Sequence, residues 1–207
     1  MKYNGANLDS RPSDRARRGR LSACLLSVAG ACCLLFSVSS PLEASPDVPR
    51  EYRIKAAYLH KFLLFVKWPD AVRTQPQKAF IAVVGDSPFD DAFDEVVGQP
   101  VGPDGARLTV VNYATVGELV DAAPAARYHL VFVAKAHRAH VPELLAALKD
   151  RPIVTVADHE GFLEAGGMIN LVLHKNTVRW EINRDAFAKA DLGVHSQLLR
   201  NAVRVVP

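Results

Sequence analysis

Beyond residue 44 this chain has no cysteine: Cys24, Cys32 and Cys33 are all it contains, and all lie early in its 207 residues. No disulfide therefore holds residues 45–207, even in a compartment that would permit one. No thiolate is there to act as nucleophile or metal ligand. Surplus charge is lacking too. Six of the 25 Lys+Arg and three of the 22 Asp+Glu precede residue 45, which leaves 19 of each. Without a basic balance there is no compositional case for nucleic acid, whose phosphates demand one. Catalytic signatures are also missing. No Gly-x-Ser-x-Gly elbow occurs, and Gly85-Asp86-Ser87-Pro88-Phe89 lacks the second and third glycines of a dinucleotide turn.

What is present begins with a leader. Arg15, Arg17, Arg18 and Arg20 form a basic cluster, and residues 21–40 follow without a charge. That is the n-region and h-region of a secretory signal over residues 1–44, with cleavage expected after Ala44 or after Ser39. Rival readings are an uncleaved membrane anchor, acylation at Cys24 or Cys32, and a twin-arginine signal at Arg17-Arg18. Ordinary export to a bacterial periplasm fits best, because Arg20 stands where the twin-arginine route prefers an apolar residue, Cys24 has lipoprotein-like spacing but no apolar segment before it, and Cys32 is better placed but weak. The remaining 163 or so residues suffice for one domain with a full core.

Along residues 45–207 the pattern alternates. "EYRIKAAYLHKFLLFVKWP" predicts a mostly buried helix ended by Pro69, with Arg53, His60 and Lys67 on a narrow polar stripe. Lys55 lies off that stripe, among Tyr58, Phe62 and Val66. "AFIAVV", "ARLTVVNY", "YHLVFVAK" and "RPIVTVAD" read as strands separated by short helices, one capped by Asp86 or Ser87 and another by Thr115. Alternation of this kind implies right-handed βαβ units and a mostly parallel sheet with helices on both faces, a three-layer α/β sandwich.

Then the pattern changes. "MINLVLH" and "TVRWEIN" alternate about Lys175-Asn176, which predicts an antiparallel hairpin with a tight turn. Ile169, Leu171 and Leu173 share a face, as do Val178, Trp180 and Ile182; the opposite face carries Asn170, His174, Arg179, Glu181 and Asn183. "RDAFAKADLG" and "VHSQLLRNAVRV" are expected to close the chain as helices. Gly166-Gly167 leads into a strand rather than a helix N-terminus, so a phosphate cradle is excluded and a structural turn of positive φ is expected.

"YRIKAAYLHKFLLFVKWP", "IAVVGDSPF", "PIVTVAD", "GFLEAGGMINLVL", "RWEIN" and "SQLLRNAVRV" together resemble the YfiR family of periplasmic regulators over residues 51–205. The resemblance implies an exported, non-catalytic α/β domain. Its implied role is to bind and silence the periplasmic sensory part of an inner-membrane diguanylate cyclase, and so to act in cyclic-di-GMP control; a sensor kinase is the alternative membrane partner. The matched positions include Lys55, Trp68, Gly85, Gly166, Gly167, Glu181-Ile182-Asn183 and Ser196-Gln197-Leu198-Leu199. One departure stands out. Family members often carry cysteines just before the third strand, where this chain has Tyr128-His129, so disulfide control is not implied here.

Three expectations follow for the site. Arg179, Glu181, Asn183, Gln197 and Leu198 are the candidate partner-binding residues, with the hairpin supplying charge and unpaired backbone at a sheet edge. Lys55 is expected to pair with Glu181 or Asp158, since an ammonium on an apolar helix face needs a counter-charge. The carboxyl ends of the strands, near Gly85, His137 and Asp158, are the natural seat for a small-molecule ligand if the domain is a sensor module. His137, His140 and Asp158-His159 permit a metal-dependent enzyme only weakly; no metal or cofactor is expected. The reading leaves room for a homodimer.

Overall fold

In the computed structural model, residues 50–207 are described, apart from 74–77, 86–88, 103–104 and 124–126. The predicted leader, and the predicted Asp86 or Ser87 cap, lie outside these residues. The chain runs α1 (Arg50–Phe65), β1 (Val66–Lys67), α2 (Asp70–Arg73), β2 (Lys78–Val84), a 3-10 turn at Asp90–Phe93, β3 (Pro100–Val101), β4 (Ala106–Tyr113) and α3 (Val116–Ala122). It continues through β5 (Leu130–Val133), a 3-10 turn at Lys135–His140, α4 (Val141–Ala147), β6 (Val154–Ala157), β7 (Ile169–His174) and β8 (Thr177–Asn183). It ends with α5 (Arg184–Lys189), β9 (Gly193–Val194), α6 (Ser196–Arg200) and β10 (Arg204–Val206).

The main sheet has the order β10-β8-β7-β6-β5-β2-β4-β3. Its centre, β4-β2-β5-β6-β7, is parallel, and β7 and β8 form the antiparallel hairpin. Every residue of β5 and β6 is buried, as a strand covered on both faces must be. Two apolar layers result. One joins α1, α5 and α6 to the sheet through Leu59, Phe62, Phe132, Val156, Trp180, Phe187 and Leu198. The other joins α3 and α4 to the opposite face through Leu119, Val131, Val133, Leu144 and Phe162. This is the expected three-layer α/β sandwich.

Local rules account for several joints. Thr115 caps α3, its Oγ1 accepting from the Glu118 amide at 3.2 Å. Lys175 and Asn176 both have positive φ (48° and 60°), the primed turn whose twist matches the strands it joins.

Two boundaries differ from the sequence reading. The first helix stops at Phe65 instead of running to Pro69, because Val66 and Lys67 leave the helix to pair with Val194 and Gly193. The Phe65 carbonyl accepts from the His195 amide at 2.9 Å, and Trp68 donates its indole N–H to the Leu63 carbonyl at 3.4 Å. The chain end is not all helix either. α6 is five residues long, and Arg204–Val206 then pairs in parallel with Glu181–Asn183. An open hairpin edge offers ladder hydrogen bonds that outweigh the weak helical preference of a Val-rich tail.

Candidate binding cleft and the charged network

Lys55 is buried, 4% exposed, and its ammonium is held by two carboxylates: Asp158 at 2.7 Å and Glu51 at 2.6 Å. Asp158 begins the loop after β6, so the contact ties α1 to the carboxyl end of the sheet. Of the two partners expected for Lys55, the structure selects Asp158. Glu51 was missed, although its spacing four residues before Lys55 on one helix was legible. The Tyr52 ring lies 4.3 Å from the ammonium. Burial works against the charge, but the hydrogen bonds Lys55 donates to Asp158 and Glu51 outweigh it, and the Lys55 pKa stands above the ordinary lysine value. Burial, and next the Asp158 charge, push the Tyr52 phenol upward.

Glu181, the other candidate, is engaged elsewhere. Arg204 grips it from Nε at 2.9 Å and from Nη2 at 3.1 Å, and reaches Glu164 from Nη1 at 2.9 Å. Nothing local in the sequence marks this pair, which joins residues 23 apart. Arg179 donates to the Asn201 carbonyl at 2.9 Å. Asn183 caps α5, accepting from the Ala186 amide at 3.0 Å, and donates to the Leu163 carbonyl at 3.0 Å. The expected unpaired edge of the hairpin is corrected here: β10 occupies it.

The five candidate partner residues do not form one patch. Arg179, Glu181 and Asn183 alternate away from Trp180, whose side lies against α1. Gln197 and Leu198 sit on α6, on the α1 side. Leu198 is 2% exposed and belongs to the core, while its carbonyl accepts from the Trp180 indole at 3.0 Å. Gln197 is exposed and lines a groove of about 320 Å³ with Tyr58, Phe62, Leu64 and Phe65.

The motif residues each have a local explanation. Gly166 has φ +100°, and a Cβ on Gly167 would lie 2.2 Å from the Phe162 ring. Gly85 has φ +106°, and its missing side chain leaves space that the His137 ring fills, a Cβ there falling 2.5 Å from Cδ2. Of Gly85, His137 and Asp158, named together as a ligand seat, Asp158 lines a cleft that the other two do not line. That cleft, about 610 Å³, opens at the carboxyl ends of β5 and β6 and includes Tyr52, Lys55, His159, Asn170 and Leu173. Among the described residues no group of three or more His, Asp or Glu is placed to hold a metal.

At the positions where the resemblance places cysteines, Tyr128 and His129 make polar contacts instead. The Tyr128 and Tyr113 hydroxyls hydrogen-bond to each other. His129 Nδ1 accepts from the Phe80 amide at 3.2 Å, and burial holds its pKa below the usual 6.5. The unfolded chain takes up a proton that folded His129 resists, so stability is full above about pH 6.5 and falls as pH drops through the lowered folded pKa. His129→Asn, which keeps an acceptor near the Nδ1 position, should lose less stability than the wild type between pH 7 and pH 5. Urea titrations at both pH values measure this.

The structure thus presents an α/β domain, its main sheet eight-stranded among the described residues, with a buried ion network and an open cleft at the carboxyl ends of its central strands. The YfiR/HmsC-like family profile matches residues 52–203, and the chain belongs to that family. Among curated proteins none matches. The solved structures similar to it in part include the following two. A conserved domain protein from Vibrio cholerae O1 biovar eltor is 10% identical, with a TM-score of 0.49, over 74% of this chain and 60% of that one. An ABC domain from Streptococcus pneumonia, in complex with L-Trp, is 10% identical with a TM-score of 0.46, over 62% and 55%. This chain therefore spans less than two thirds of either. No helix among the described residues is long and apolar enough to cross a membrane.

Proposed function

We propose that residues 1–44 are a secretory signal and that residues 45–207 form a non-catalytic periplasmic regulator. It binds the sensory part of an inner-membrane signalling protein, a diguanylate cyclase, and holds it inactive. Membership in the YfiR/HmsC-like family over residues 52–203 is the observation that carries this reading. The mechanism is a population shift: the bound domain favours the receptor's inactive state, and a stimulus acts by weakening the complex. Gln197 and the groove beside it are the better starting point for the interface. Gln197 is exposed, whereas Glu181 and Asn183 already serve the domain's own hydrogen bonds.

The test is a crosslinked pull-down of the tagged full-length protein from its host's membranes, paired with cyclic-di-GMP measurement after gene deletion. A diguanylate cyclase in the eluate, recovered several-fold less with Gln197→Ala, together with raised cyclic-di-GMP in the deletion strain, is expected. An eluate without any cyclase and an unchanged nucleotide level would reject the reading.

A further inference from the structure

The groove beside Gln197 has a fixed apolar floor. The Tyr58 and Phe62 rings stack at 6.2 Å, and the Trp180 ring meets them edge-on at 5.0 and 5.7 Å. The Trp180 indole is held in turn by the Leu198 carbonyl at 3.0 Å. Leu64 lines the same groove and is 44% exposed. Rings already packed lose little freedom when something covers them, so a partner's apolar side chain is buried here at small entropic cost.

The walls carry charge of one sign. Residues 56–67, in α1 and β1, and residues 193–203, around α6, include Lys61, Lys67 and Arg200 and no aspartate or glutamate. Lys61 lines the groove, its ammonium 5.8 Å from the centre of the Tyr58 ring, and it makes no ion pair among the described residues. The larger cleft at the strand ends differs. Glu51, Asp158 and Glu160 balance Lys55, Lys135 and Arg138 there, so it selects neither sign. At the groove, a carboxylate beside an apolar anchor finds a complementary charge in Lys61. Gln197 and Asn201 add amides to the rim of an apolar centre, the arrangement of a protein-binding patch.

The walls also restrict the shape of the occupant. α1 and α6 flank the groove, and a helix offers no open edge for a partner strand to join. Side chains must therefore carry the recognition. A helix presents apolar side chains at i and i+3 or i+4 on one stripe and leaves places for acids alongside.

We propose that this groove is the docking site for an acidic amphipathic helix of the membrane partner, which seats apolar side chains over Tyr58, Phe62 and Trp180 and sets a carboxylate against Lys61. This rests on the regulator reading and names the chemistry of its interface. The test repeats the crosslinked pull-down with the full-length chain, with the photoreactive residue p-benzoylphenylalanine in place of Leu64, and identifies the crosslinked cyclase peptide by mass spectrometry. A peptide with apolar residues three or four apart and an Asp or Glu within one turn of them is expected.

Leu64→Asp puts a charge into an apolar contact and should lower cyclase recovery by about tenfold or more; Lys61→Glu, a reversal at the rim, by about fivefold. Wild-type recovery should also fall as salt is raised, and that of Lys61→Glu should not. Both positions are exposed, so both variants should keep the wild-type Tm. Cyclase recovery unchanged in these two variants, or a crosslinked peptide lacking either feature, would overturn the groove and leave the regulator reading standing. If the wild type recovers no cyclase, that reading fails and this assignment fails with it.

Discussion

Lys55→Met lowers the folding free energy by about 3–5 kcal/mol, the range for breaking a buried ion pair from one side. Methionine fills the space of the lysine stem, so the loss is electrostatic and not a cavity. Asp158, its side chain 5% exposed, then keeps a charge with no partner, and Glu51 loses its counter-ion as well. The same contact on an open surface would contribute only about 0–1 kcal/mol, so the size of the loss reports burial. Urea unfolding of the single variant and of Lys55→Met/Asp158→Leu separates the causes. The double variant removes both charges and should recover most of the loss, because an apolar replacement of a whole buried pair is close to neutral.

The same network sets the alkaline response. Folded Lys55 has a raised pKa, so its contribution is complete below the unfolded value near 10.5 and is lost as pH rises through the folded pKa. Tyr52, also raised, acts in the same direction: above pH 10 the unfolded chain ionises this phenol before the folded one does. Wild-type stability should therefore decline above about pH 10, and Lys55→Met should decline less steeply.

Gly167→Ala is expected to cost about 3 kcal/mol, at the upper end for overpacking, and more than Gly166→Ala. At Gly167 the added methyl would meet three atoms of the Phe162 ring at 2.2–2.4 Å, and Phe162 is fully buried between the sheet and α4 with nowhere to retreat. At Gly166 the nearest atom is Leu145 Cδ1 at 3.9 Å, so space is free and only the φ of +100° is strained. Strain of that kind costs about 1–3 kcal/mol. Thermal unfolding of both variants ranks them. If Gly166→Ala were the more damaging, backbone strain and not close approach would be the reason for the pair.

The two glycines illustrate how far residues can be read. That a tight structural turn precedes the hairpin was legible from Gly166-Gly167 and the alternation that follows. Which glycine answers to backbone angle and which to a neighbour was not, because Phe162 reaches Gly167 only once the loop after β6 has folded back. Lys55 is similar. Its position on an apolar helix face announced a buried charge, and Glu51 four residues earlier was visible in the spacing. Asp158, 103 residues away, was one of two equal candidates until α1 was laid across the sheet. The hairpin face misled for the same reason. Alternation put Arg179, Glu181 and Asn183 on one side correctly, but it could not reveal that the Asn201 carbonyl, Arg204 and α5 had already taken them up.

By itself, then, the sequence determined the class of fold, the hairpin and its turn, the helix cap at Thr115 and the family resemblance. All depend on period, on neighbouring residues or on composition, and interactions within a few residues decide them. The tertiary structure alone decided that the last residues form β10, that Glu181 belongs to Arg204, and that Lys55 belongs to Asp158. Those outcomes depend on contacts between distant segments, which compete for the same backbone edge or the same charge. Only the folded chain settles which partner arrives first.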